Sequence, residues 1–491
     1  MPSQSLAPPA AAAPPSTPEP PPHLLWLVAV AFFMQTLDAT IVNTALPSMA
    51  ASLQESPLRM QSVVIAYSLT MAMPIPASGW VADRFGTRRV FLFSIALFTL
   101  GSVACALSHT LTQLVASRVL QACGGSLLLP VGRLSVLRNY PRDKFLQAMS
   151  FVAIPGLIGP LMGPTLGGWL VEVLSWHWIF LINLPVDVVG WIATQRYMPD
   201  SRSVLPPRFD FSGFVLLSIA MVSISLALDG LAGIGMQHAL VMVLMIGGFA
   251  GLAAYWLHAL RHPQPLFPPQ LFSIGSFRVG LLGNLFARIG SGSMPFLIPL
   301  LLQVALGYSP MQAGMMMLPV ALASMGMKRF ATPLIRSQGY RRVLVGNTLL
   351  MGTLIACFAL FGPATPLAGK IVLLGLFGAV NSLQFTAMNT VTLKDLDAAG
   401  ASSGNSMLSM VQMLAMSLGV TVAAALLATF EQWLGGLGGY GTLDVFRATF
   451  IGIGVATAAS GWIFWQLAAD DHPDVRSGKD DVGHAKDVPL D

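Results

Sequence analysis

The chain has 491 residues, of which 54% are apolar and only 10% charged, and its mean hydropathy is +0.70. Soluble domains carry about 25% charged residues, so this composition excludes an ordinary soluble enzyme and excludes disorder over most of the length. The formal charge of +5 comes from Lys and Arg scattered among short loops rather than clustered on a soluble face, so no nucleic-acid partner is expected. From the N-terminus, residues 1–23 are dominated by Pro, Ala and Ser and predict a disordered tail, because such a segment buries too little apolar surface to offset its ordering entropy. No Lys or Arg precedes the first apolar run, which is also too long for a signal peptide and is expected to remain in the mature protein. Apolar runs bounded by Gly, Pro or charge then predict helices near 24–46, 60–82, 90–108, 111–131, 147–170, 176–197, 211–229, 239–260, 279–302, 311–333, 343–362, 369–390, 403–430 and 447–468. With ~20 residues needed per crossing, the expected class is an all-α polytopic membrane protein with fourteen transmembrane helices. Cys105, Cys123 and Cys357 all lie inside apolar runs, with no disulfide framework and no zinc-ligand spacing.

Placing the N-terminus in the cytoplasm leaves only Arg59, Lys370 and Arg447 outside, and Arg118 and Arg288 within spans, among 26 basic residues. That asymmetry predicts cytoplasmic termini in a cytoplasmic (inner) membrane. An internal repeat appears at an offset of 253: Asp83-Arg84-Phe85-Gly86-Thr87-Arg88-Arg89 maps onto Arg336-Ser337-Gln338-Gly339-Tyr340-Arg341-Arg342, and Ser56-Pro57 onto Ser309-Pro310. The expected organisation is therefore a six-helix bundle over 24–200, a loop with two inserted helices over 201–277, a second six-helix bundle over 278–468, and a cytoplasmic tail over 469–491. Parallel repeats of six helices are a transporter architecture whose substrate site lies between the halves near mid-membrane.

Five stretches carry a resemblance: LDATIVNTALP (37–47), GWVADRFGTRR (79–89), RVLQACGG (118–125), GPLMGPTLGG (159–168) and WHWIFLINLP (176–185). In that order and at those spans they resemble the signature set of the major facilitator superfamily, in its fourteen-helix drug:proton antiporter branch, and the likeness extends over 24–468. The resemblance implies the major facilitator fold and proton-driven multidrug efflux, with no cofactor. Two positions depart from the pattern: Ala122 stands where the family usually has Gly, and His177 where it usually has Arg.

Asp38 is the expected proton-coupling acid. Intramembrane carboxylates are costly and functional by default, and Asp38 lies roughly 12 Å from the outer end of its span, against roughly 10 Å for Arg118 at ~1.5 Å per residue. A carboxylate beside a fixed cation can change its charge with conformation; a static structural pair is the alternative. Asp187, mid-way along the sixth span, is a second acid able to carry a proton. Glu172 and Asp229 fall at span ends, where a solvated interface is the ordinary reading. In the loop after the second span, Gly79 is expected to allow close helix approach, Gly86 a tight turn, and Arg88 and Arg89 to anchor the inside face; the resemblance implies that Asp83 latches one conformer, a role Arg336 cannot repeat in the second copy. Gly159, Gly163 and Gly167 form a small-residue stripe bent by Pro160 and Pro164, and resemble the family's antiporter motif, so these residues are also assigned to gating. Arg288 lies about 15 Å inside the ninth span at ~1.5 Å per residue, with no acid between Asp229 and Lys394 to pair it. With Asn43, Gln121 and Asn284 it is assigned to substrate binding, while Lys328 and Arg329 are expected to snorkel. Met315-Met316-Met317, Phe32, Phe33, Phe286 and Phe296 could line an adaptable apolar cavity, though most of the 26 methionines should face lipid or neighbouring helices. The C-terminal tail, with His472 and His484, reads as a solvated acidic segment rather than a metal site.

No HExxH, phosphate loop or nucleophile elbow is present, and the loops are short and lack paired acids and histidines, so neither an enzyme nor an ATP-driven pump is expected. A non-transporting sensor is the alternative from another class. The expected partners are small-molecule substrate, protons and membrane lipid, with accessory efflux components unspecified. On substrate charge the two lines diverge: the resemblance implies bulky cationic drugs, whereas the unpaired Arg288 and the scarcity of uncommitted acids favour organic anions such as carboxylates or metal chelates.

Overall fold

The computed structural model describes residues 22–140, 142–202, 209–231, 238–396, 398–437 and 440–467. The tails expected before residue 22 and after residue 468, and parts of the 201–277 segment, lie outside the described residues.

Helices appear at every predicted position. They are α1 (Pro22–Leu53), α2 (Pro57–Phe85), α3 (Thr87–Ala106), α4 (Leu111–Asn139), α5 (Arg142–Val173), α6 (Trp178–Tyr197), α7 (Phe211–Leu231), α8 (His238–Arg261), α9 (Gly275–Ala305), α10 (Pro310–Met315 and Leu318–Gln338), α11 (Tyr340–Leu360), α12 (Leu367–Leu393), α13 (Ala398–Leu437) and α14 (Thr442–Phe464). Among the described residues eleven are long and apolar enough to cross a membrane by length and composition, and Phe211–Ala227 is a shorter apolar helix. Several run well past their apolar windows. At 40 residues, α13 is about 60 Å long at ~1.5 Å per residue, twice the ~30 Å of hydrocarbon. The helix α2 is interrupted between Ala72 and Ser78, where Pro74 and Pro76 withhold backbone donors.

The repeat seen at offset 253 is geometric as well as sequential. Gly86 (φ 93°) and Gly339 (φ 77°) both occupy the positive-φ region, where a Cβ is strained, and both join consecutive helices. Ser56 and Ser309 both cap the helical segment that follows, each accepting a backbone N–H with its hydroxyl. Packing then fixes how the halves meet. At the end remote from the Gly86 and Gly339 turns, one apolar cluster spans both halves, joining Ile41, Leu46, Met60 and Phe180 to Phe296, Leu301, Ala313 and Phe358. At the arginine-rich end the clusters are separate: Leu24, Ala82, Phe91 and Met198 in the first half, Val279, Ile335, Leu344 and Phe464 in the second. The inserted pair α7 and α8 docks through Leu217, Met221 and Tyr255 onto Leu69 of α2 and Met410 of α13.

The glycine stripe of α5 lies against α1. A Cβ at Gly159 would run into Thr36 and Leu37, at Gly163 into Thr40 and Ile41, and at Gly167 into Ile41 and Thr44. The three threonines return their hydroxyls to carbonyls of their own helix, so they fill the glycine notches of α5 by packing rather than by hydrogen bonds to it. Gly163→Val is expected to cost about 1–3 kcal/mol by overpacking and to lower the melting midpoint in detergent, read by scanning fluorimetry. Gly79→Ala should leave the midpoint unchanged or raise it slightly, because nothing lies within 4 Å of a Cβ there and alanine is the better helix former.

Candidate functional site

Asp38 sits mid-way along α1 with no exposed surface. Its Oδ2 accepts from Arg118 Nη1 at 2.9 Å, and its Oδ1 accepts from Gln121 Nε2 at 2.9 Å and Asn183 Nδ2 at 3.1 Å. Arg118 also donates to Gln121 Oε1 (2.6 Å), Gln121 donates to Ser102 Oγ (2.8 Å), and the guanidinium lies 3.8 Å from the centre of the Tyr67 ring. Five helices, α1, α2, α3, α4 and α6, thus converge on one carboxylate. A buried ion pair of this kind costs about 3–5 kcal/mol if one partner is removed, so the network is a stiff element until the acid changes charge. Asn183 Oδ1 and Arg118 Nε are buried without a hydrogen-bond partner. An amide can turn its acceptor where its donor was, so Asn183 is able to serve either the carboxylate or the protonated acid.

The depth match of Asp38 and Arg118 is realised directly. Gln121, assigned to substrate, is fully buried and held inside this network. Tyr67, Ser102 and Asn183 were not singled out from the sequence; Asn183 alone carried a signal, as a lone amide within the apolar stretch WHWIFLINLP. Asp187 is buried and accepts from Thr99 Oγ1 at 2.9 Å. It borders a small void of about 30 Å³ beside Met34 and Phe98, within the first half.

A cavity of about 230 Å³ lies between the halves. Its polar lining is Thr40 and Asn43 from α1, Ser291 from α9, Ser324 and Lys328 from α10, and Asn381 from α12, with Met294, Met317 and Phe377 among its apolar walls. No carboxylate lines it among the described residues. Lys328, expected to snorkel, is exposed and also lines this cavity. Arg288 lies on the cavity stripe of α9, about one turn from Ser291. Its Nη2 donates to Asn284 Oδ1 at 2.9 Å, its guanidinium lies 4.6 Å from the centre of the Phe385 ring, and its Nε has no partner. Asn284 is fully buried and donates to Gly280 O and Thr392 Oγ1; it positions Arg288 rather than meeting the cavity. Phe286 lines a different, lipid-side groove with Trp462, and Phe296 is buried in the shared core.

At the arginine-rich end, Asp83 is ion-paired with Arg138 of α4. Thr87 donates its hydroxyl to Pro199 O (3.0 Å) and accepts from Ser201 N (3.1 Å), Arg88 Nε donates to Met198 O, and the Asp200 carboxylate occupies the space a Gly86 Cβ would need. These contacts bind the α2–α3 turn to the segment after α6, within one half. Arg89 is exposed, and Gly79 makes no close helix approach, since nothing lies within 4 Å of a Cβ placed there. At the opposite end Glu172, though exposed, bridges the halves: it accepts from Ser309 Oγ (2.8 Å) and from Met311 N (3.2 Å) at the N-terminus of α10. Gln303 Nε2 donates to Thr44 O, and Gly168 and Gly314 admit the facing backbones of Pro310 and Pro164. Asp83→Asn is expected to slow conformer exchange while equilibrium affinity stays within a few fold; a collapse in affinity would make the loop part of a binding site. Glu172→Gln keeps the shape but loses the charge-assisted bonds, worth about 1.5–3 kcal/mol. Spin labels placed across the Glu172–Ser309 seam should then show that end opening more often.

The family model described as the Major Facilitator Superfamily matches residues 28–420. The chain is 50% identical over 446 residues to the "Putative multidrug resistance protein MdtD" of Pectobacterium carotovorum subsp. carotovorum, covering 91% of this chain and 96% of that protein. It is 53% identical over 412 residues to the protein of the same name from Serratia proteamaculans, covering 83% and 85%. Among solved structures, a POT family transporter in complex with 5-aminolevulinic acid superposes with TM-score 0.65 at 17% identity, covering 90% of this chain and 95% of that one. A bacterial homologue of the human lysosomal transporter Spinster gives TM-score 0.62 at 16% identity, covering 92% and 98%. The Gly86 and Gly339 turns and these matches agree: the chain belongs to the Major Facilitator Superfamily.

Proposed function

We propose that the chain is a proton-coupled antiporter that exports small molecules across the cytoplasmic membrane, with its arginine-rich end and both termini in the cytoplasm. The observation that carries this reading is the placement of α1. Asp38 on one side of that helix is the hub of a buried charge network, while Thr40 and Asn43 on another side line the cavity and Gly159, Gly163 and Gly167 let the helix slide on α5. Every bond at Asp38 is donated to it, the pattern of the deprotonated acid. The shared core closes the far end, so substrate enters from the cytoplasmic side in this state. Protonation removes the negative charge that holds Arg118, Gln121 and Asn183, and a shift of α1 carries that change to the cavity and to the Glu172 seam. Substrate and proton are thereby bound in alternate conformers, the requirement of exchange.

A second reading concerns what is exported. The matched relatives are named for multidrug resistance, but the cavity has Lys328 in its wall, Arg288 one turn away and no acid among the described residues; organic anions such as carboxylates or metal chelates are favoured. Purified protein in proteoliposomes, given an imposed pH gradient and a panel of di- and tricarboxylates beside lipophilic cations, tests both points. Accumulation that collapses with a protonophore supports antiport. Transport indifferent to the gradient would remove the coupling, and absence of transport for the whole panel would favour the sensor alternative.

A further inference from the structure

Away from Asp38 and the cavity, three metal-ligating side chains converge where α7 begins and α8 ends. His258 and His262 stand one turn apart at the end of α8, their rings stacked with centroids 5.0 Å apart, and Asp210 immediately precedes α7. Ligand atoms of all three lie within 4.8 Å of one another, and His258 Nε2 is 2.7 Å from Asp210 Oδ1.

The carboxylate is pre-positioned. Its side chain is 2% exposed, Oδ1 accepts from Gly213 N at 2.8 Å, and Oδ2 accepts from Leu266 N at 3.1 Å. A carboxylate has about four lone-pair sites, enough to keep both backbone bonds and take a cation. Helix capping accounts for the Gly213 bond and loop anchoring for the Leu266 bond. Neither accounts for two stacked imidazoles gathered around the same acid. Both histidines are part-exposed, and His262 opens onto a surface recess of about 390 Å³ bounded by Pro263, Gln264 and Pro268.

We propose that Asp210, His258 and His262 form a binding site for a divalent transition cation of the zinc class, with three protein ligands and the fourth position open to solvent. The His-x3-His spacing puts both imidazoles on one helix face, and imidazole with carboxylate is a donor set that such ions take at about 2.0–2.2 Å. Tetrahedral ligands at that range stand roughly 3.3 Å apart, so the present 2.7 Å hydrogen bond opens slightly as the cation replaces the proton between His258 and Asp210. The ring stays neutral: as Nε2 takes the cation, its proton is exchanged for one on Nδ1, the tautomer a ligating imidazole requires. A bound cation would tie the start of α7, the end of α8 and the 262–267 linker into one unit ahead of α9, bracing the inserted pair against the second half. The proposal stands apart from the transport reading, because binding is measured without substrate.

The full chain, purified in detergent without a polyhistidine tag, is titrated with ZnCl2 by calorimetry and with CoCl2 by visible absorption. Saturable binding of one cation per chain, with cobalt bands of a nitrogen–oxygen site, is expected. His258→Gln and His262→Gln should each weaken it by no less than the roughly 10–100-fold that loss of an outer-shell partner costs, and His472→Gln with His484→Gln should leave it unchanged. Asp210→Asn retains the acceptor for Gly213 and Leu266 and so separates lost ligation from lost folding; it too should weaken binding while elution stays monodisperse. Undiminished binding in the His258→Gln/His262→Gln double variant, or no saturable binding by the folded wild-type chain, would overturn the site.

Discussion

Asp38→Asn is expected to abolish accumulation driven by a pH gradient while substrate counterflow at equal pH persists. Asparagine keeps the shape of the side chain and an acceptor for Gln121 or Asn183, but it carries no exchangeable charge. It also leaves Arg118 buried, 1% exposed, with only neutral partners, which by itself costs about 3–5 kcal/mol. The single variant therefore mixes two effects, lost coupling and lost stability. Asp38→Asn/Arg118→Gln separates them, since removing both charges avoids the orphaned cation and is close to neutral for a buried pair. The double variant should recover folded yield and melting midpoint, and it should still fail to concentrate substrate against the gradient. Gradient-driven accumulation in either variant would return Asp38 to the static-pair reading.

The positions of the helices were legible because the apolar runs that mark them must face lipid or core, and the repeat was legible because its two anchors are local backbone devices, a positive-φ turn and a serine cap. Helix ends were less so: α13 runs from Ala398 to Leu437, beyond the apolar run at 403–430, because backbone hydrogen bonds do not stop where the apolar residues do. The Asp38–Arg118 pair could be read from depth, a one-dimensional quantity. Which way a helix is rotated is not in that quantity, so depth alone cannot tell that Gln121 turns to Asp38 or that Lys328 lines the cavity. Contacts between distant segments were hidden for the same reason. Glu172 looked like a solvated span end until Ser309 arrived from the other half, and loops judged free of paired acids and histidines bring Asp210 to His258 across 48 residues.

Arg288→Gln and Lys328→Gln are each expected to weaken export of small carboxylates by about tenfold or more, with lipophilic cations unaffected or improved. The size follows from a charge-assisted hydrogen bond, about 1.5–3 kcal/mol, at 1.4 kcal/mol per decade of affinity. A lipophilic cation entering this cavity meets Lys328 and no acid among the described residues, so its desolvation is not offset; Asp38 is sealed behind α1 and held by Arg118. An anion meets Lys328 directly, and Arg288 has a buried Nε still without a partner. Arg288 is held by Asn284, which gives a further discriminating variant: Asn284→Ala should lower anion affinity without touching the anion, and its effect should vanish in an Arg288→Gln background, because the two act as one unit. Additive losses would mean that Asn284 meets the substrate itself. Export of cationic dyes, together with anion transport indifferent to Arg288→Gln and Lys328→Gln, would establish the cavity as an apolar multidrug pocket whose two cations serve only the packing of α9 and α10.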